Sequence, residues 1–318
     1  MESYNNQVLV VCLNPTLQET MVFDRVLMGE VNRALFHRLD ASGKGMNVTR
    51  VLTQLGSRCS LLSHLGGSRA QEFLALADKD GVNIIWTDSD SPIRTCITMI
   101  QQADASTTEL VQEAVAVHAK TEANIRLLYT KHLQEVEAVV FSGTRAPGYS
   151  KELYAQMVKE AKDAGKFVVL DYRGEDLKRS LGMRADVIKP NLSEFCATFF
   201  SADQMITEQQ DPEHLKQQVA LAMKELYETY QTMTIITHGG KDLWAYDGKK
   251  WYEMPAKKVK VQNTIGCGDA FTAGFVHAYV QKKSFSEALE LATDAAASNA
   301  ACLAPGSIYD DSPNTFAK

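Results

Sequence analysis

The 318-residue chain contains no run of about 18 apolar residues, which excludes a conventional membrane-spanning helix. It also lacks a basic segment ahead of its first short apolar run, MESYNNQVLVVCLNP, so that run reads as a first strand rather than a signal peptide. Its six cysteines, at positions 12, 59, 96, 196, 267 and 302, form no Cys-x-x-Cys pair. That removes the usual zinc and dithiol signatures and leaves reduced thiols in a cytoplasmic protein as the expectation. Positive charge is not in excess: the net charge of −6 gives no general attraction for nucleic acid or an anionic membrane surface. No Gly-x-x-x-x-Gly-Lys-Ser/Thr loop, internal repeat or low-complexity block occurs.

What remains is a 45% hydrophobic chain, long enough for one large core or two small ones. Apolar strands are expected at 8–13, 59–63, 82–87, 138–142, 167–171, 187–189 and 233–237, with helical patterns such as 150–164 and 212–230 between several of them. Such alternation predicts an α/β layered fold with a mostly parallel sheet. Two stretches, 18–40 and 94–117, break the alternation and read as β-ribbon, either a second sheet over a site or ordinary surface hairpins. The main domain is accordingly expected over 1–17, 41–93 and 118–318.

Four short motifs carry polar chemistry. In NTIGCGDAF, from Asn263 to Phe271, two glycines flank Cys267 and an acid follows. Phe271, Phe275, Ala278 and Tyr279 give the next segment a helical stripe, so Gly266, Cys267 and Gly268 are expected just before its first turn. Free amides and the dipole at a helix start suit developing negative charge, and Asp269 can take a proton from an attacking hydroxyl. The plainer alternative is an N-cap aspartate after a flexible turn. In ASGKGMNVTR, from Ala41 to Arg50, small residues bring Lys44 and Asn47 either to a polar ligand or merely into a helix-entry turn. In KPNLSE, Asn191 and Glu194 have capping-box spacing, and equally fit a magnesium site acting through bound water. THGGKD, from Thr237 to Asp242, makes either a nucleotide-binding edge or a hairpin turn. SGTRAPG, from Ser142 to Gly148, also follows an apolar strand; polar turns at such strand ends point to one shared crevice.

The order of VCLNPTL, ASGKGMNVTRVL, IRT, FSGTRAPG, KPNLSEF, THGGKD and NTIGCGDAFTAGF resembles the ribokinase/PfkB family of carbohydrate kinases, nearest the branch with 1-phosphofructokinase and tagatose-6-phosphate kinase. The resemblance implies a ribokinase-like three-layer α/β fold with a small β-sheet lid, formed by 18–40 and 94–117. It also implies ATP-dependent phosphorylation of a sugar-phosphate hydroxyl, a ketohexose phosphate going to a bisphosphate. Asp269 would be the base and Gly266, Cys267 and Gly268 the anion hole. Asn191 and Glu194 would hold Mg2+ through water, while Lys189, Thr237, Gly239, Gly240 and Asn299 would meet ATP. Gln18, Gly43, Lys44, Asn47, Arg94 and Ser142 would face the sugar phosphate. A homodimer through the lid goes with this picture. The chain departs from the family pattern at Gln18, where relatives carry an acid, at Ser42, where they carry glycine, and at Arg145-Ala146. Alternatives are a kinase for an unphosphorylated sugar or a nucleoside, and a nucleotide- or sugar-phosphate-binding protein without turnover.

Overall fold

The computed structural model describes residues 7–201 and 212–309. Residues 1–6, 202–211 and 310–318 of the expected main-domain segments 1–17 and 118–318 therefore lie outside the described residues. In chain order the strands are β1 (Gln7–Cys12), β2 (Thr16–Phe23), β3 (Phe36–Ser42), β4 (Arg58–Gly66), β5 (Ile84–Ser89), β6 (Arg94–Gln101), β7 (Thr107–Val111), β8 (Ala138–Ser142), β9 (Phe167–Asp171), β10 (Val187–Ile188), β11 (Met233–Ile236), β12 (Leu243–Tyr246) and β13 (Trp251–Met254). The helices are α1 (Lys44–Gln54), α2 (Ala70–Lys79), α3 (Ala119–Leu133), α4 (Leu153–Asp163), α5 (Glu175–Leu181), α6 (Leu192–Phe199), α7 (Pro212–Tyr230), α8 (Cys267–Val280) and α9 (Phe285–Ala300).

A nine-stranded sheet runs β13-β12-β11-β10-β9-β8-β1-β4-β5. It is parallel from β11 through β5, because each strand returns through a helix. Alternate side chains of β1 feed opposite cores. Val8 and Val10 pack with α1, α2, α8 and α9, whereas Leu9 and Val11 pack with α3 through α7. Burial on both faces is why the middle strands read as nearly continuous apolar runs.

Several boundaries move relative to the sequence reading. The strand expected over 82–87 lies at Ile84–Ser89, because Val82 closes the α2 end by donating its amide to the Ala77 carbonyl. The expected 187–189 and 233–237 strands stop at Ile188 and Ile236. The helix expected over 150–164 begins at Leu153. The antiparallel edge pair β12 and β13 was not expected.

The two ribbon segments join as a second sheet, β3-β2-β6-β7. β2 pairs parallel with β6, Thr16 opposite Arg94, and antiparallel with β3, Gln18 opposite Asp40. β2 begins two residues before the expected lid boundary and β3 runs to Ser42, so the small sheet grows directly out of β1 and into α1. Residues 112–117 have no regular structure. Glu109 and Val111 of β7 reach the wall of a cleft formed with the carboxyl ends of the main strands.

Candidate active site

The cleft, about 540 Å³, is lined by twelve of the expected residues: Gln18, Gly43, Lys44, Asn47, Arg94, Ser142, Lys189, Asn191, Glu194, Gly266, Gly268 and Asp269. They come from β2, the β3–α1 turn, β6, β8, the β10–α6 turn and the start of α8. Only the sheet topology brings these segments to one place.

At its floor, α8 starts at Cys267, one residue after the N-cap Gly266. Cys267 and Gly268 therefore lie inside the first turn, not before it as the sequence suggested. Asp269 is the third helical residue and not an N-cap. Opening amides of a helix have no intrahelical acceptor and point together at the cleft end. Gly266 has φ 87°, and a Cβ there would stand 2.3 Å from the Gly306 nitrogen and 3.0 Å from Asn299 Oδ1. Only glycine suits both the left-handed backbone and this approach.

Asn47 Nδ2 donates to Asp269 Oδ2 at 2.8 Å. Asn47 is itself held, since its Oδ1 accepts from Ser42 Oγ at 3.0 Å and from Arg50 at 3.2 Å. The buried Arg50 also binds Asp80 at 2.7 Å, the Pro305 carbonyl at 3.0 Å and the Ala41 carbonyl. Burial pushes the Asp269 carboxyl up to about 7; Lys44, the Asn47 amide and Lys189 pull it down, and Asp171 pushes it further up. A carboxyl so placed exchanges its proton near neutrality, which suits a general base.

Beside it lies a compact charge network. Asp171, 1% exposed, ends β9. Its Oδ2 accepts from Thr272 at 2.8 Å and pairs with Lys189 at 3.4 Å, while Oδ1 faces Lys44 at 3.6 Å. Burial opposes its ionisation, but Lys189, Lys44 and the Thr272 hydroxyl outweigh burial and hold it below the usual carboxylate range. Lys44 also lies 3.3 Å from Glu194 Oε1. Burial disfavours its charge, yet Asp171, Glu194 and Asp269 together raise its pKa. With 39% of its side chain exposed, the ammonium still faces the cleft. It is thus neither the idle surface lysine of a helix-entry turn nor a free one.

Asn191 and Glu194 form a complete capping box. Asn191 Oδ1 accepts from the Glu194 amide at 2.8 Å, and Glu194 Oε2 accepts from the Asn191 amide at 3.0 Å. The box uses one oxygen of each side chain and leaves Glu194 Oε1 toward Lys44.

The wall opposite carries Gln18, Arg94 and Ser142. Gln18 is 2% exposed and donates to Thr98 Oγ1 at 2.8 Å. Arg94 donates to the Gln112 carbonyl at 3.3 Å. Its Nε, the Ser142 hydroxyl and Asn14 Oδ1 are buried without a hydrogen-bond partner among the described residues.

Five expected residues lie off this wall. Asn299 is wholly buried behind the α8 loop; it donates to the Ile265 carbonyl at 3.0 Å and to Cys267 Sγ at 3.5 Å, and accepts from the Ser307 amide at 3.2 Å. Its side chain is thus spent on the loop and not presented to the cleft. The Cys267 thiol turns toward Asn299, and burial pushes it up to about 11, so it stays protonated. Thr237 braces α6 by accepting from the Leu192 amide at 3.0 Å. Gly239 and Gly240 occupy an exposed hairpin turn between β11 and β12, with open space around both.

Sequence reasoning missed Asp171, Arg50 and Asn263. Asp171 had a signal, since it is the one charge closing the apolar run FVVLD. Asn263 has a locking role: its Nδ2 donates to the Leu303 carbonyl at 2.9 Å, and its Oδ1 accepts from the Ile265 amide at 3.0 Å. Nothing local distinguishes Arg50 from an exposed helical arginine.

Comparisons with known proteins agree with this geometry. The pfkB family carbohydrate kinase model matches residues 13–312. A tagatose-6-phosphate kinase of Staphylococcus epidermidis is 24% identical over 287 residues, covering 90% of this chain and 89% of the relative. The crystal structure of a "possible 1-phosphofructokinase" from Thermotoga maritima superposes with TM-score 0.81 at 20% identity, over 96% of this chain and 94% of that one. Phosphofructokinase-2 from Escherichia coli, in complex with fructose-6-phosphate, gives TM-score 0.79 at 19% identity, over 92% and 93% of the two chains. The structural matches establish the three-layer fold with its second small sheet. With the family model spanning nearly the whole chain, and an acid at a glycine-locked helix start on the cleft floor, this protein belongs to the pfkB family of carbohydrate kinases.

Proposed function

We propose that this kinase transfers the γ-phosphoryl group of ATP to a hydroxyl of a ketohexose phosphate, giving a bisphosphate. The observation that carries the reading is the pairing, in one cleft, of Asp269 poised to titrate near pH 7 with Arg94, a guanidinium whose hydrogen bond goes to a carbonyl and not to a carboxylate. The relatives named above, a tagatose-6-phosphate kinase and a phosphofructokinase-2 crystallised with fructose-6-phosphate, support a phosphorylated acceptor.

In this mechanism Asp269 accepts the proton as the acceptor oxygen attacks phosphorus and the bond to the ADP oxygen breaks. Asn47 fixes the carboxylate. The opening amides of α8, with Lys44 and Lys189, face the charge of the transferring group. Asn299 serves by holding the loop, and the exposed turn at Thr237, Gly239 and Gly240 serves the nucleotide.

Among the described residues no cluster of three or more His, Cys, Asp or Glu makes a metal cage. Magnesium does not demand one, because it keeps several waters and takes one or two carboxylates beside the phosphates. Glu194 Oε1, together with the remaining lone pair of Asn191 Oδ1, would fit that sparse role, the ion supplying charge neutralisation on the nucleotide phosphates. Six cysteines, none in a disulfide, fit a cytoplasmic enzyme. Met28 and Val31, 91% and 79% exposed between β2 and β3, fit a homodimer through the lid.

The test is a panel of fructose 1-phosphate, tagatose 6-phosphate, fructose 6-phosphate, the free sugars and nucleosides, each with ATP and magnesium, read by product mass. A bisphosphate from at least one ketohexose phosphate is expected. Product only from unphosphorylated acceptors, or none from any, overturns the reading.

A further inference from the structure

The cleft holds four lysine or arginine side chains: Lys44, Arg94, Arg173 and Lys189. Two are committed to carboxylates, Lys44 to Glu194 at 3.3 Å and Lys189 to Asp171 at 3.4 Å. The two guanidiniums are not. Arg94 donates to a carbonyl and leaves its buried Nε unpaired, and Arg173 is exposed with no hydrogen bond or ion pair among the described residues. Arg145, in the turn after β8, shows the contrast, since it is paired with Asp176 at 3.0 Å.

Arg173 follows β9 by two residues. Ser142 ends β8 directly opposite Asp171, and the Gly143 amide donates to the Asp171 carbonyl at 2.9 Å, so the turns after β8 and β9 leave side by side. Asn14 follows β1 by two residues and donates to Thr144 Oγ1 at 3.5 Å. In the strand order β9-β8-β1, Ser142 and Asn14 therefore lie between Arg173 and the lid residue Arg94, which pairs with Thr16. Neighbouring strands are about 4.8 Å apart, so roughly 10 Å separates β9 from β1, within the combined reach of two arginine side chains. Between them the Ser142 hydroxyl, 0% exposed, and Asn14 Oδ1 have no hydrogen-bond partner among the described residues. Buried polar groups without partners are rare, and here they face the same cleft as two cations without carboxylates.

We infer that Arg173 is a specificity-determining residue that, with Arg94 and the Ser142 hydroxyl, receives the phosphate already present on the acceptor. Planar guanidinium forks suit a tetrahedral dianion better than ammonium groups do, and two of them match its charge. The inference rests on the phosphorylated-acceptor reading above and names the seat of that phosphate.

The test compares wild type with Arg173→Ala, Arg173→Lys and Arg94→Ala, using the sugar phosphate the panel identifies. KM is measured for that compound, for its free sugar and for ATP, with melting temperature as a folding control. Arg173→Ala is expected to raise the sugar-phosphate KM roughly 10- to 100-fold, the usual scale for a lost charged hydrogen bond. KM for ATP and any free-sugar activity should stay within about twofold, and lysine should restore only part of the affinity. A rise confined to the ATP KM would assign Arg173 to the nucleotide phosphates and overturn the inference. A response to Arg94→Ala without one to Arg173→Ala would also overturn it while sparing the phosphorylated-acceptor reading. Failure of both variants to respond, or no turnover of any sugar phosphate, would remove both.

Discussion

The two walls of the cleft are built on opposite principles. At the α8 end most polar side-chain atoms have a hydrogen-bond partner: Asp269 with Asn47, Asn47 with Ser42 and Arg50, Asp171 Oδ2 with Thr272 and Lys189, and Asn299 with three groups of the loop and C-terminal segment, while Asp171 Oδ1 meets Lys44 only as an ion pair at 3.6 Å. At the wall formed by β1, β6 and β8, Arg94 Nε, the Ser142 hydroxyl and Asn14 Oδ1 are buried without a hydrogen-bond partner among the described residues, and Arg173 is exposed with none among them. Saturated hydrogen bonding holds a geometry ready for charge that appears only during reaction, with little reorganisation left to perform. Unsaturated groups cost stability until a ligand satisfies them, and so they favour the ligand that does.

The strongest break in this contrast comes at the saturated end. Asp269→Asn should lower kcat by about 10²–10⁴-fold with the fold intact, the scale of a lost general base. A variant within threefold of wild type would remove Asp269 from that role. In wild type, kcat/KM should climb as pH rises through about 7 and level off above it, because only the ionised carboxylate accepts a proton. Stability runs the other way for this group. Its folded pKa lies above the unfolded value of about 3.9, so its contribution is full below that value and is lost as pH rises through about 7. Relative to wild type, the Asn variant should therefore melt higher at pH 8 than at pH 5.

Glycine substitutions separate the loop's shape from its open face. Gly266→Ala meets both a left-handed backbone and a contact of 2.3 Å, and should cost roughly 2–4 kcal/mol of stability along with most activity. Gly268→Ala points its Cβ 3.5 Å from Lys189 Nζ, an ordinary contact, and should leave the melting temperature almost unchanged. Equal thermal losses in the two variants would contradict the locked-loop description.

The smallest expected change in this series is at Glu194, where the two principles meet. Glu194→Gln keeps an acceptor for the Asn191 amide but loses the charge opposite Lys44. The magnesium concentration for half-maximal activity should rise roughly tenfold with little change in melting temperature, as for other groups that orient a metal's bound waters. A fall in melting temperature at unchanged magnesium dependence would leave only the cap.

Much of this was legible in the linear chain. The parallel strands 138–142 and 167–171 and the helix 212–230 were read to the residue, because burial on two faces, or on one stripe, leaves an uninterrupted local pattern. The edge strands β12 and β13 were not, being four residues each and only partly buried. The motif order carried the family, and the spacing of Asn191 and Glu194 contained the capping box that the structure displays.

What the sequence by itself determined is thus the layered α/β fold, the two interruptions that become the second small sheet, and the glycine-flanked acid at a helix start. These follow from short-range periodicity and turn chemistry, which act within a few residues. Tertiary structure alone decided which charges meet. Asn47 reaches Asp269 across 222 residues, and Lys44 reaches Glu194 across 150. Asp171 becomes the hinge of two lysines only because β9 lies between β8 and β10. Arg145 and Arg173 look alike in the chain, yet one is bound to Asp176 and the other is left open to the cleft. Electrostatic partnership depends on distances of a few ångströms between strand ends, and the order of strands in a sheet, not their order in the chain, sets those distances.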